Sequence, residues 1–297
     1  MDKLVKEYFS YLESKKASKN TVSSYVRDIE KFCQYISALQ IKNVKTVSQT
    51  DILNYLLYLQ KQGKSASTVS RSLSSVKSLY RYLFSNGYIK ANPTDEVHGF
   101  KPDKRPPKAL TDLQIDLFLN TPVLNGIKGY RDKAILEIMY ATGMRATDII
   151  KLRLSDINLN IGYIFCRNKD KKERVVPIYS LARDSVKNYV EKRKQIKNSD
   201  KTDILFLNLN GEPLSRQGLW KIVKSYKELS GMNVDITPNT IRDSFAIHML
   251  ENGADLKSVQ EMLGHSDIAS TKVYEQVIKN KLTEVYEKAH PRAKIKS

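Results

Sequence analysis

The sequence predicts a mainly α-helical protein with a small antiparallel β-sheet, an α+β fold in two parts. Apolar residues recur at helical spacing through residues 4–83. Two short apolar runs, 163–166 and 174–178, flank a polar turn at 168–171, which is the pattern of a β-hairpin. Between the two parts, residues 90–108 are rich in proline and charge, which excludes a helix there.

The first part predicts four helices. Their apolar positions cover residues 4–12, 20–36, 52–59 and 69–83. Thr50-Asp51 is the N-cap signal of the third helix. Ser65 opens the fourth, and Asn86-Gly87 ends it. This half of the chain is therefore expected to be entirely helical.

The second part predicts a mixture of helices and strands. Thr111 caps a helix that carries Phe118, and another helix runs from about Lys128 to Gly143. The hairpin follows, and the rest of the chain is again helical apart from a short apolar run at 204–207. Two domains joined by a basic connection suit a clamp around duplex DNA.

Charge and composition narrow the class of protein. The chain carries 50 Lys and Arg against 32 Asp and Glu, a net charge of +18, which favours a polyanionic partner such as a nucleic acid backbone over a merely basic surface. Its two cysteines show no zinc spacing, so a structural zinc site is not expected. No apolar stretch has signal or membrane length, and we expect a cytoplasmic, nucleoid-associated protein.

The connecting segment is a candidate DNA contact. Its basic residues would suit a strap along phosphates, although a solvated linker has the same composition, and the two interpretations are compatible. They are Lys90, Lys101, Lys104, Arg105 and Lys108.

Cleavage of a phosphodiester requires a nucleophile, cations on the nonbridging oxygens and an acid for the leaving oxygen. Arg145 stands at a helix start after Gly143, where its guanidinium can bind a phosphate beside backbone N–H groups. A surface arginine paired with Asp148 is the alternative. Lys169, in the hairpin turn, can protonate an alkoxide, although the local sequence by itself favours a solvated turn lysine.

Further candidates follow in order along the chain. Asn239 and Arg242 are three residues apart behind the Thr237-Pro238 helix start, so both can face a phosphate. His265 follows Gly264, which ends an apolar helix, and Tyr274 comes nine residues later. A helix-end histidine is more often a cap, and Tyr274 is one of 17 tyrosines, so the prediction depends on the ordered set.

That ordered set resembles the Arg–Lys–His-x-x-Arg–His–Tyr set of the tyrosine recombinases. The phrases at 141–145, 172–177, 250–255 and 260–266 are similar to family phrases as well. The compactness of the chain and its tail at 282–293 look most like the Xer branch, whose members resolve chromosome and plasmid dimers. A mobile-element integrase of the same family and a catalytically weakened DNA-binding paralogue are the alternatives, and a topoisomerase using the same chemistry is another.

The resemblance implies a role for each residue. Tyr274 would attack the scissile phosphate and form a 3′-phosphotyrosyl bond. Arg145 and Arg242 would hold the nonbridging oxygens, Lys169 would protonate the 5′-oxygen, and His265 would hydrogen-bond the phosphate. The energy of the broken bond is kept in the tyrosyl ester, so the resemblance implies no cofactor.

The resemblance also implies a domain organisation and partners. Residues 1–89 would form a helical, SAM-like core-binding domain, 90–108 a basic linker, 109–278 a catalytic domain, and 279–297 a tail helix that docks onto a neighbouring protomer. The two domains would form a C-shaped DNA clamp, four protomers of one or two kinds would act on two duplexes, and a DNA translocase or second recombinase is a further partner. The candidate DNA contacts are Arg71, Lys77, Lys104, Arg105, Arg216 and Lys221.

Two positions depart from the family pattern. Asn239 and Asp243 stand where the family usually has histidine. Asn cannot accept a proton near neutral pH, so His265 or water would have to activate Tyr274. Asp243 could also partly neutralise Arg242. We therefore hypothesise reduced or partner-dependent activity.

Overall fold

The computed structural model describes residues 3–14, 19–99, 107–167, 173–264, 271, 273 and 274. The chain divides into two compact units, Met1–Arg105 and Pro106–Ser297. Both have their own apolar core. Across the described ranges, no helix combines the length and apolar character needed to cross a membrane. The prediction of a mainly helical α+β fold is confirmed.

The first unit consists of four helices, as predicted. They are α1 (Lys3–Ser14), α2 (Lys19–Ala38), α3 (Gln49–Lys61) and α4 (Ala66–Ser85). Ser65 caps α4, and Gly87 follows its end with a φ of +72°. The predicted cap of α3 is wrong: Ser48 is the N-cap, because its hydroxyl accepts from the Asp51 backbone N–H while the Asp51 carboxylate accepts from Ser48. Thr50 lies within the first turn.

An ion pair between the buried carboxylate of Asp28 and the half-exposed guanidinium of Arg71 joins α2 to α4. Asp28, 3% exposed, accepts two hydrogen bonds of 2.9 Å from Nε and Nη2 of Arg71 and a third from Ser75. The Asp28 hydrogen bond is the main cause of a raised pKa at Arg71. Part of the predicted linker belongs to the first unit, because Val97 is fully buried in the apolar core of that unit.

The second unit surrounds a central helix, α6, with helices on several sides and a small sheet. Its helices are α5 (Asp112–Asn120), α6 (Gly126–Thr142), α7 (Ala146–Ile149), α8 (Ser180–Arg193), α9 (Arg216–Leu229), α10 (Pro238–Glu251) and α11 (Leu256–Leu263). α6 packs against α5, α8 and α10. Thr111 caps α5 as predicted, and Phe118 is buried, but Leu113 is 84% exposed.

The two strands of the predicted hairpin are present and pair with each other, and its turn at 168–171 lies outside the described residues. β1 (Ile157–Asn158), β2 (Tyr163–Arg167) and β3 (Glu173–Pro177) form an antiparallel sheet in that order. Alternation buries Ile164 and Val176 against the core and leaves Phe165 and Val175 outside. The register sets Cys166 opposite Arg174, which directs the Arg174 side chain to the inner face.

Candidate active site

The end of α6 brings three elements together at Gly143. This residue adopts the left-handed conformation with φ of +57° and ends the helix. A Cβ at this position would overlap the Phe245 ring of α10 and lie 2.8 Å from Cδ2 of Leu263 in α11. Only glycine therefore lets α6, α10 and α11 meet at this distance.

Arg242 is held at that junction. It lies in α10, whose start is fixed by the Thr237 cap and by Pro238 at the first helical position, as predicted. Its Nη1 donates to the Gly143 carbonyl, and its Nη2 donates to the Leu263 carbonyl at 3.0 Å. Arg242 is only 6% exposed, so two main-chain oxygens fix the orientation of a buried cation.

Further positive charges surround Arg242. Burial, then the charge of Arg145, and also that of Arg174 lower the pKa of Arg242 to about 10, although Asp148 acts in the opposite direction. Arg145 is exposed and is the N-cap of α7. Like charges gathered in a partly desolvated site repel one another, and a bound phosphate would relieve that repulsion.

Arg174 is a member of this cluster that residue-by-residue reasoning missed. It lies on the inner face of β3 beside the Cys166 thiol. Its Nε, Nη1 and Nη2 atoms are buried, and no nitrogen or oxygen of the described residues hydrogen-bonds them. The phrase at 172–177 and the strand alternation were the available signals, but only the fold shows that this arginine is close to Arg242. Unsatisfied buried guanidinium nitrogens are costly, which indicates a place built for an anion.

Tyr274 lies in the apolar cluster that flanks the arginines. It is 5% exposed and packs with Phe245, Val259 and Leu263. Its hydroxyl donates a 2.9 Å hydrogen bond to Oδ1 of Asp243. Burial, followed by the Asp243 charge and hydrogen bond, raises the pKa of Tyr274, while the charge and hydrogen bond of Arg242 lower it.

Asp243 is the second residue whose position the sequence did not reveal. Its carboxyl is half-buried, and burial raises its pKa against the lowering effects of the Tyr274 hydrogen bond and the Arg242 charge. Being next to Arg242 in the chain gave no indication that it would face Tyr274. The tyrosine is therefore in contact with a carboxylate.

Of the three other predicted catalytic residues, the structure describes only Asn239. Asn239 is exposed in the first turn of α10. Gly264 ends α11 with φ of +64°, as predicted. Lys169 and His265 lie outside the described residues. The predicted catalytic positions that the structure brings together are thus Arg145, Arg242 and Tyr274.

The predicted DNA contacts differ in their availability. Arg216 and Lys221 are exposed on α9, whose opposite side is buried. Arg71 directs two of its nitrogens to Asp28, and Lys77 is half-buried. Lys104 and Arg105 lie outside the described residues. No group of three potential metal-ligating side chains occurs among the residues that the structure covers.

The chain belongs to the phage integrase family. Residues 108–281 match the model of that family, and residues 5–87 match its N-terminal SAM-like domain. The resemblance to tyrosine recombinases inferred from the ordered motifs is thereby confirmed.

Relatives named for their activity are similar to almost the whole chain. Tyrosine recombinase XerD of Staphylococcus haemolyticus is 38% identical over 295 residues, 99% of this chain and all of that protein. XerD of Halalkalibacterium halodurans is 40% identical over 278 residues, 93% of both chains. The crystal structure of a XerH recombinase bound to its difH substrate superposes with a TM-score of 0.75 at 22% identity, over 90% of this chain and 79% of that one. These relatives favour the Xer-type interpretation over the alternatives.

Proposed function

We propose that this protein is a Xer-type site-specific recombinase that cleaves and rejoins DNA with Tyr274 as nucleophile. The observation that carries the proposal is the junction of α6, α10 and α11. There a buried tyrosine hydroxyl lies beside an arginine that is locked by two carbonyls, with further arginines around it. A catalytically silent DNA-binding protein would not need a nucleophile in this position.

The chemistry follows from the charges. The guanidinium of Arg242 and the exposed guanidinium of Arg145 bind the nonbridging oxygens of the scissile phosphate and stabilise the charge that develops in the transition state. Arg174 adds positive potential from the inner face of the sheet. The Tyr274 oxygen attacks phosphorus, and the bond to the 5′-oxygen breaks. Lys169 supplies the proton for that oxygen, and His265 hydrogen-bonds the phosphate, as the family pattern implies.

The DNA partner fits the charge and the exposed faces. A net charge of +18 favours the phosphate backbone, and Arg216 and Lys221 of α9 are available to a groove. We assign residues 1–89 as the core-binding domain, 90–108 as the linker strap and 109–278 as the catalytic domain. Tail residues 279–297 would dock onto a neighbouring protomer in a tetramer on two duplexes. We further propose that the protein resolves chromosome or plasmid dimers. It would act in the cytoplasm, beside the nucleoid, together with a translocase or a second recombinase.

A nicked suicide substrate tests the reaction. Wild type is expected to form a covalent protein–DNA adduct, and Tyr274→Phe none, while Tyr130→Phe serves as the matched control with full activity. Absence of an adduct from a wild-type protein that binds the same DNA would leave only the silent DNA-binding alternative. Relaxation of a single-site plasmid without junction products would instead indicate a topoisomerase.

Asn239 calls for its own experiment. If the usual histidine at this position assists proton transfer, Asn239→His should cleave the suicide substrate faster than wild type, because general acid–base assistance is worth about 10²–10⁴ in rate. An equal or slower rate would show that the exposed Asn239 position does not limit this enzyme.

A further inference from the structure

The nucleophile has a close proton acceptor, a carboxylate at a position where the family usually has histidine. The Tyr274 hydroxyl and the Asp243 carboxylate are 2.9 Å apart. That distance is within the range required of a general base and its substrate proton. Tyr274 is 5% exposed, so water has little access to its hydroxyl.

Of the charged neighbours that lie in the described part of the chain, Asp243 is the acceptor beside Tyr274. Among the described residues, the titratable groups that act on the Asp243 carboxyl are Tyr274 and Arg242. Arg242 has no acceptor atom. The other charged groups that act on Arg242 are Arg145, Arg174 and Asp148, and of these three only Asp148 carries a carboxylate. Asp148 is not among the charged groups that act on Tyr274, whereas Asp243 and Arg242 are.

We propose that Asp243 is the general base that takes the proton of Tyr274 during strand cleavage. This inference rests on the proposed recombinase function and adds a catalytic residue to it. It also answers the question raised by Asn239: the carboxylate one residue after Arg242 performs the step for which a histidine would otherwise be available.

The step balances in both directions. As the tyrosine oxygen bonds to phosphorus, its proton moves to Oδ1 of Asp243, and the bond from phosphorus to the 5′-oxygen breaks as that oxygen gains a separate proton from Lys169. In religation, a 5′-hydroxyl attacks phosphorus and gives its proton back to Lys169, the bond from phosphorus to the tyrosine oxygen breaks, and Asp243 returns its proton to that oxygen. Arg242 lies beside both groups and offsets the negative charge shared between them.

Electrostatics supports such a transfer. Burial raises the pKa of Asp243 and makes the carboxylate a stronger base than an exposed aspartate. Arg242 lowers the pKa of Tyr274 against the effect of burial, and bonding to phosphorus withdraws further electron density from the tyrosine oxygen. Both effects reduce the difference in pKa between the donor, Tyr274, and the acceptor, Asp243, as the transition state is approached.

The first test is a pH profile of single-turnover cleavage with the suicide substrate. Wild type should show a rate that rises through the titration of Asp243 and then levels. Asp243→Asn should cleave about 10²–10⁴-fold more slowly and lose this rise. Asp243→His should recover part of the rate with the rise shifted toward the pKa of imidazole, about 6.5. Asp116→Asn, at an exposed carboxylate of α5, is the matched control and should behave as wild type.

The second test distinguishes proton transfer from the nucleophile from proton transfer to the leaving group. A 5′-bridging phosphorothiolate substrate leaves as a thiolate and needs no general acid. It should rescue Lys169→Ala but should not rescue Asp243→Asn. Thermal unfolding and DNA binding of each variant, measured in parallel, show whether the protein is folded and loaded onto its substrate.

The outcomes are distinguishable. Loss of cleavage in the wild type would contradict the proposed function itself. If wild type cleaves and Asp243→Asn cleaves equally fast or faster, Asp243 is not the base. Rescue of Asp243→Asn by the phosphorothiolate would also overturn the inference, because it would place Asp243 on the leaving-group side.

Discussion

Two buried arginines in the catalytic unit are held by backbone carbonyls, and yet their surroundings differ. The guanidinium group of Arg193 donates four hydrogen bonds of 2.7–3.0 Å. The acceptors are the backbone carbonyls of Ser199, Thr202, Ile204 and Leu205. Arg242 donates to the carbonyls of Gly143 and Leu263. The two are 5% and 6% exposed. Arg242 has other arginines as neighbours, and their charges lower its pKa.

This difference separates a structural site from a functional one. The carbonyls around Arg193 satisfy its hydrogen bonds and close the loop at 199–205, so its charge is compensated within the chain. The cluster of Arg242, Arg145 and Arg174 holds more positive charge than its surroundings compensate, and such a site gains free energy only when an anion binds. Substitutions at the two places should therefore affect different measurements.

The largest effect is expected for Arg242→Lys. Lysine cannot hold two carbonyls and a phosphate oxygen at once, and loss of one such donor costs about 10²–10³ in rate. The free energy of unfolding should change by less than about 1 kcal/mol, because a buried lysine, unlike arginine, can lose its proton in this cluster, which relieves the repulsion and offsets the lost hydrogen bonds. Single-turnover cleavage and urea unfolding of the same preparation measure both. A variant that loses stability and keeps its rate would invert the comparison.

Arg193→Lys should reduce stability and leave the cleavage rate nearly unchanged. Four carbonyl contacts cannot be replaced by an ammonium group, so the free energy of unfolding should fall by about 3 kcal/mol. The melting temperature would then drop by roughly 10 °C for a unit of this size. Cleavage per folded molecule at low temperature should remain within twofold of wild type. A large rate defect in a fully folded preparation would mean that the loop at 199–205 contributes to the active site.

Arg174→Met tests whether Arg174 acts with Arg242 on the phosphate or has a structural role like that of Arg193. Methionine fills a similar volume without a buried charge, so the variant should be more stable by about 1 kcal/mol. Cleavage should become about tenfold slower, since one charge-assisted contribution to phosphate binding is worth roughly that much. Chemical denaturation and adduct formation at subsaturating enzyme measure the two effects. Reduced stability would place Arg174 with Arg193 as a structural arginine.

The smallest effect concerns the stability of Asp243→Asn as a function of pH. Because the native pKa of Asp243 is raised, native protein holds this proton more tightly than the unfolded chain. Stability is therefore lost as pH rises from the unfolded carboxyl range, near 4, through the native pKa, and the loss stays constant above it. Asparagine does not ionise, so the variant should gain stability relative to wild type across that window. A gain confined to lower pH would contradict the raised pKa.

The sequence predicted the elements well because local signals agreed with the tertiary packing. Ser65, Thr111 and Thr237 cap their helices, Gly143 and Gly264 end theirs, and β2 pairs with β3 as expected. The exception was the start of α3, where the reciprocal Ser48–Asp51 hydrogen bonds place the N-cap two residues before Thr50.

The chemistry was only partly predictable. The ordered motifs identified Arg145, Arg242 and Tyr274 in sequence, but hydrogen-bond partners are set by how α6, α10 and α11 pack. Asp243 accepts from a tyrosine 31 residues away, and Arg174 comes close to Arg242 from a strand. Neither relationship has a local pattern, because both arise from tertiary contacts between separate elements.

The packing of Tyr274 into its own chain has a consequence for stoichiometry. Its ring lies among Phe245, Val259 and Leu263, and its hydroxyl is bonded to Asp243, all from the same polypeptide. We therefore expect each subunit of the proposed tetramer to attack with its own Tyr274 and not with that of a neighbour. In a mixed assembly of wild type and Tyr274→Phe, the number of strands cut should equal the number of wild-type subunits bound, so subunit composition can be counted directly from the cleaved ends.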